Sequence, residues 1–333
     1  MSLDYPQLRE NVWQISPGSP VSYVDTPDGT FEVPTEQALA FLAVRPYCTP
    51  HNSVEDIVRR SGVSIGAVTP MLEALSGIGL IADDAVAASQ SNKVALREVH
   101  AKFRRITAIW SEEIGRSFIG ANLANGELPR DVLVGWLLET YHYVRDFPAA
   151  IAVGAAQAQG ALKTVLERYV REETGHESFV LRTLRNLGLT QAEIEQSRPL
   201  VSTRLISLLM RELFGAYPCA VLLMAAMVEA QDPPEDEIEA LQARICEAYD
   251  LPPNTLRPYF EHQTVDSALG HCRLLDDNIA LFDVSDRQDL DRIADQLHDL
   301  KHAFDLQALE ILDYYSHLDG KYFPRQPMTY RAL

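Results

Sequence analysis

The pattern of apolar and polar positions changes once along this chain. Near the start, residues 11–16 and 21–24 are short strand-like runs separated by Pro-Gly-Ser-Pro. Thr-Pro-Asp-Gly-Thr at 26–30 is a turn signal, and 31–33 suits another short strand. Three short helices are predicted next, over 35–43, from Ser53, and over about 65–78, the last stopped by Gly79. Asp56 stands three residues after Ser53, the spacing of a capping box. Residues 85–93 are mostly small or polar and read as a linker. Beyond them the period stays helical, with helices expected over 96–124, 130–147, 161–187, 203–214, 218–231, 235–249, 256–282 and 286–317. A run of helices with short connections is a bundle. The tail 321–333 holds two prolines and is expected to be irregular.

Length and composition set the frame for this order. A chain of 333 residues is long for one core, so two domains are expected, over 1–84 and 94–320. Apolar residues make up 47%, yet no charge-free run reaches the roughly 18 residues of a membrane span. The N-terminus lacks the basic-then-apolar order of a signal peptide. Cys48, Cys219, Cys246 and Cys272 are scattered without C-x-x-C spacing, which fits reduced thiols in a cytoplasmic protein. The net charge of -18 argues against nucleic acid and anionic membranes as partners.

Acids and histidines recur where helices should face a common interior. They are Glu139, the E-x-x-H pair Glu173 and His176, Glu229 at the end of the most apolar stretch, and the H-x-x-x-D pair His262 and Asp266. Residues three or four apart share a helix face, so each pair can point one way. A carboxylate beside Leu222, Leu223, Ala226 and Met227 risks burial and then needs a partner or a metal. Carboxylates and imidazoles on four helices suit iron or manganese. Each motif has a plainer alternative: a solvated face for Glu173 beside Arg171 and Glu172, and a simple ion pair for His262 and Asp266.

From about residue 96 to 317 the chain resembles the haem-oxygenase-like di-iron oxidases, or iron-containing redox enzymes, in the wider group with TenA and PqqC. The resemblance rests on ETYHYVRDFP, E-x-x-H, VEAQ before a proline turn, and YFEHQTVD. It implies two Fe(II) ions per chain, O₂ as co-substrate, and Glu139, His176, Glu229, His262 and Asp266 as metal ligands, with Glu173 a ligand in some members. The implied substrate is an amino acid, a fatty acid or a peptide-borne side chain, in natural-product or modified-peptide biosynthesis. One position departs: Leu269 stands where the family's last histidine belongs. His271, five residues after Asp266, is about 140° away from it on a regular helix. Either Gly270 marks a distortion that turns His271 inward, or one ligand is missing. His142 and Arg145 are candidates for the substrate pocket, with packing and an Asp146 ion pair as their alternatives.

The first 84 residues resemble the PqqD-type winged helix that recognises leader peptides. ENVWQI, VSYVD, FEVPTEQALAFLA, SVEDIVRRSG and AVTPMLEALSGIGLI carry the likeness by their order and lengths. The expected architecture is mainly α: a haem-oxygenase-like helical bundle preceded by a small α+β winged-helix domain. A leader peptide would add to the edge of strand 21–24. The alternative is a docking or homodimerisation module. DNA is disfavoured, because residues 1–91 carry 4 basic against 11 acidic side chains. Two other function classes stay open: a metal-free PqqC-like oxidase or thiaminase-like enzyme, with Cys219 and Cys272 as candidate nucleophiles, and a non-catalytic peptide-binding scaffold.

Overall fold

β-branched and aromatic residues at the start of the chain pair as anticipated. In the computed structural model, which describes residues 5–81, 92–115, 118–230 and 233–332, three strands form an antiparallel sheet. They are β1 (Val12–Gln14), β2 (Val21–Thr26) and β3 (Gly29–Pro34), in the order β1-β2-β3. The turn before Gly29 is closed by the Thr26 hydroxyl, which donates to Gly29 O (3.1 Å) and accepts from Asp28 N (3.2 Å). Helices α1 (Thr35–Val44), α2 (Val54–Ser61) and α3 (Ile65–Gly77) follow. Ser53 and Asp56 form the expected capping box. Val24, Phe41, Ile57, Val68, Leu72 and Leu80 make the core of this part. β2 is the middle strand, and its Tyr23 and Val24 are paired on both sides, which closes that half of the edge expected at 21–24. The outer edge of β3 has no strand partner among the described residues.

The chain divides into two compact units. The first takes everything up to Val94 together with Ala101–Ile109, which lie inside helix α4 (Leu96–Gly115). Arg105 explains part of that assignment, since its guanidinium donates to Thr26 O at 3.1 and 3.3 Å. Most of the linker expected at 85–93 lies outside the described residues.

The second unit is helical. After α4 come α5 (Phe118–Ala124), α6 (Arg130–Gln157), α7 (Gly160–Glu173), α8 (Glu177–Asn186), α9 (Gln191–Gln196) and α10 (Val201–Ala216). They are followed by α11 (Ala220–Val228), α12 (Glu235–Ala248), α13 (Arg257–Leu269), α14 (Leu274–Asn278) and α15 (Arg287–Ser316). Its core gathers Leu133, Leu137, Leu138, Leu184, Phe260 and Ile311. α6 runs on through Pro148, beyond the end expected at 147, because Ala150, Ile151, Gly154 and Ala155 are buried and hold the second half in place. Gly135 lets Tyr315 approach α6: a Cβ there would stand 2.2 Å from the Tyr315 ring. Two expected helices are broken, 161–187 at Thr174–His176 and 256–282 after Leu269. Among the described residues, no helix is long and apolar enough to cross a membrane.

Candidate metal centre

Both breaks fall at glycines with positive φ, and both redirect a histidine. Gly175 (φ 99°) separates α7 from α8, so Glu173 ends one helix and His176 precedes the next. Gly270 (φ 77°) ends α13, and His271 begins a short 3-10 turn instead of a further helical residue. Glycine reaches this left-handed region without the Cβ clash of other residues. His271 is thereby buried to 1% exposure, while Leu269 stays 43% exposed. The distortion alternative is the one observed. Glu229 caps the C-terminus of apolar α11, and His262 and Asp266 occupy one face of α13.

Six of the sequence-derived residues converge. His262 Nε2 and His176 Nδ1 are 3.1 Å apart, and Asp266 lies 3.3 Å from the first through Oδ2 and 3.2 Å from the second through Oδ1. His271 Nδ1 lies 3.0 Å from Glu173 Oε1, 3.2 Å from Glu229 Oε2 and 3.8 Å from Asp266 Oδ1. Glu173 reaches the first group as well, with Oε2 3.5 Å from His176 Nδ1. Two overlapping sets result, His176–His262–Asp266 and Glu173–Asp266–His271, with Asp266 common to both.

His262 Nε2 and His176 Nδ1 meet with hydrogen-bond geometry, but the approaches around His271 do not. Glu173 Oε1, Glu229 Oε2, Asp266 Oδ1 and both His271 ring nitrogens are buried without an aligned partner. Atoms that each lie about 2.1 Å from one ion stand roughly 3.0–3.4 Å from one another; the approaches of His271 to Glu173 and Glu229 and of Asp266 to His176 and His262, at 3.0–3.3 Å, fall in that range. Donor atoms aimed at a common point rather than at each other are what a metal site requires, and oxygen with imidazole nitrogen suits iron. The donor set therefore fits the metal. Glu172, which the sequence offered only as a surface neighbour, has Oε2 3.4 Å from His271 Nε2. The two are not aligned as a hydrogen bond here, but with Nδ1 on a metal the Nε2–H would have Glu172 as its orienting acceptor.

Burial and charge act against each other in the cluster. Burial pushes the Glu229 carboxyl up, and the nearby Glu173 and Asp266 charges add to this against the opposing His271. Burial also works against ionised Glu173, but the adjacent His176 and His271 hold it low. Burial alone would lower both imidazoles; Asp266 and Glu173 instead raise His176 to about 9, and Glu173 and Glu229 raise His271 to about 10. His262 is lowered, by burial first.

Three expected site residues are not brought to the cluster. Glu139, expected as a ligand, is fully engaged elsewhere. Its carboxylate accepts from Leu200 N (2.9 Å), Thr203 Oγ1 (2.6 Å) and Tyr315 Oη (2.8 Å). His142, expected at the substrate pocket, is turned onto Ser197. Ser197 Oγ donates to Ile194 O (2.6 Å) and so accepts from His142 Nε2–H (2.8 Å), and burial, which lowers the ring to about 3, keeps it neutral. Arg145 lies over the Tyr141 ring and beside Asp146, the plainer of its two alternatives. Of the candidate nucleophiles, Cys219 is buried, which pushes its thiol up to about 12, and Cys272 lines the cavity at the cluster.

That cavity, of about 260 Å³, is walled by Glu173, Glu229, His262 and Asp266 and by Tyr143 and Phe147. Tyr169 packs edge-on to His271 with ring centres 4.9 Å apart. The cavity shares lining with a larger one of about 700 Å³.

Comparison with known proteins places the fold and the family. A domain of unknown function with a heme oxygenase-like fold from Shewanella denitrificans is 15% identical, with 71% of this chain and 99% of that chain covered at a TM-score of 0.53. A TenA family transcription regulator from a Silicibacter species is 15% identical over 64% of this chain and 96% of that chain, at a TM-score of 0.47. A TenA homologue from P. horikoshii is 18% identical over 66% and 99%, at a TM-score of 0.46. No curated protein matches. The family model described as iron-containing redox enzyme matches residues 134–300, half of the chain, and that span includes all six convergent residues. The chain therefore belongs to the iron-containing redox enzyme family, on a haem-oxygenase-like fold.

Proposed function

We propose that this protein is an O₂-dependent non-haem iron oxidase that holds two Fe(II) ions between Glu173, His176, Glu229, His262, Asp266 and His271. The observation that carries the reading is the set of buried donor atoms 3.0–3.8 Å apart that make no aligned bonds with one another. His176 and His262 would serve one ion and His271 with Glu229 the other, while Asp266 and Glu173 face both groups. Bound ferrous ions would supply the electrons that O₂ accepts. The chain's own part is to hold the donors, keep water away through the apolar wall around Tyr143 and Phe147, and present an organic substrate in the adjoining cavity.

Anaerobic Fe(II) titration with metal analysis tests this. About two irons per chain, lost in His176→Ala and Glu229→Ala while both variants stay folded, is the expected result. Full iron loading in both variants overturns the ligand assignment. The thiaminase-like alternative loses support from Cys219, because a thiol raised to about 12 is a poor nucleophile near neutral pH.

For the first unit, a peptide-docking role is supported by a groove of about 390 Å³ lined by Trp13, Val33, Phe41, Met71 and Leu75, and by the outer edge of β3, which has no strand partner among the described residues. Strand addition would then use β3 rather than β2. Loss of peptide binding on Glu32→Pro, which removes an N–H from that edge, tests it; unchanged binding contradicts it.

A further inference from the structure

The larger cavity of the second unit, about 700 Å³, falls in the size range of roughly 300–1,000 Å³ that encloses small-molecule ligands. Its walls are mainly apolar, with Ile119, Leu133, Trp136, Leu241, Phe260 and Phe304 among them. Thr140, Tyr143, Val228, Tyr259 and Gln263 line both this cavity and the one at the carboxylate–imidazole cluster, so the two adjoin at these residues.

Tyr143 stands at that junction with an uncommitted polar atom. Its hydroxyl oxygen is buried and has no hydrogen-bond partner. The ring is held by Phe147, stacked with centroids 5.6 Å apart at 24°, and by Phe304, edge-on at 5.6 Å and 76°. By contrast, the neighbouring Thr140 hydroxyl has spent its hydrogen on Trp136 O at 2.9 Å. A buried phenol that donates to nothing is costly unless an acceptor arrives.

We propose that the larger cavity is the substrate site, and that it takes a molecule with an apolar alkyl or aryl body and a carbonyl or carboxylate end, which accepts a hydrogen bond from Tyr143 Oη beside the cluster. This deepens the iron-oxidase reading and rests on it for what happens at the bound end. The walls set the class of the body, and the lone O–H sets the class of the end group.

The test uses the full-length chain and two probes of matched shape, butyrophenone and butylbenzene, which differ by the carbonyl oxygen. Both are titrated calorimetrically without added metal, and Co(II) uptake is followed separately by visible absorption. The unsubstituted protein should prefer the ketone. Tyr143→Phe should weaken the ketone by roughly three- to tenfold and leave the hydrocarbon unchanged, the loss expected for one neutral hydrogen bond. Ala308→Trp, which fills the larger cavity, should abolish binding of both. Co(II) uptake should be the same in all three proteins. An undiminished ketone preference in Tyr143→Phe overturns the role of Tyr143. No binding of either probe to the unsubstituted protein overturns the assignment of the cavity. If both probes behave as expected but no protein takes up Co(II), the metal reading falls and the substrate site stands.

Discussion

Glu139 and Glu229 are two buried carboxylates of the same helical unit, and their surroundings treat them in opposite ways. Around Glu139 on α6, Leu200 at the start of α10 supplies a backbone N–H, and Thr203 in α10 and Tyr315 in α15 supply hydroxyls, so the carboxylate receives three bonds. Around Glu229, at the end of α11, Oε2 has no aligned partner and faces His271 Nδ1 at 3.2 Å. Burial raises the pKa of both groups. The first is a structural knot, complete in itself. The second is incomplete in a way that a cation with open coordination positions would remedy. Burial of an acid is therefore no sign of a site; burial with unspent lone pairs among convergent imidazoles is.

The largest expected effects break this contrast into its two halves. Glu139→Ala removes the acceptor of three buried donors and should cost about 3 kcal/mol or more, read by urea unfolding, while the folded fraction still binds iron. Glu229→Ala should do the reverse: iron affinity falls by more than about 100-fold, with stability changed by less than about 1 kcal/mol, since it removes a ligand and a buried carboxylate together. Equal loss of stability in the two variants would erase the distinction.

A smaller effect is expected at the hinge that brings His271 inward. Gly270→Ala places a side chain at φ 77° and should cost about 1–2 kcal/mol. It should also weaken one of the two iron sites more than the other, read as a biphasic titration. Tight, unchanged binding of both ions would show that His271 needs no help from Gly270. Glu172→Gln, which alters the carboxylate behind His271, should weaken iron binding by about tenfold without unfolding the protein.

The last effect, confined to acid pH, is a pH dependence outside the cluster. Burial lowers the His142 pKa to about 3, well below the ordinary histidine value. Folding therefore favours the neutral ring. The contribution is fully present above about pH 6.5 and is lost as pH falls from there toward 3, by at most about 1.4 kcal/mol per pH unit. His142→Gln should flatten that limb of the unfolding profile, and an unchanged slope would contradict the account.

Local geometry decided what was legible in the sequence. His262 and Asp266 are four apart on one continuous helix, and their shared face follows from that spacing alone. Glu173 and His176 meet too, though across a break at Gly175 rather than along the long helix expected over 161–187. For His271, a regular helix gives the wrong direction, and the neighbouring Gly270 was the one local signal of the turn. The place of Glu139, apart from the cluster, was not legible, because its partners come from Leu200, Thr203 and Tyr315, far along the chain, and no local pattern announces them. The helical order of the second unit was readable from its period. The role of β2 as a middle strand was not, because pairing depends on which neighbours fold beside it.

The central claim is that these six residues hold two iron ions, and anomalous scattering measured at the iron edge tests it most directly. Crystals of the full-length protein grown anaerobically with Fe(II) should show two peaks in the second unit. One should lie among His176, His262 and Asp266, the other among Glu173, Glu229 and His271. Iron bound elsewhere, or no ordered iron at a concentration that saturates the titration, would contradict it.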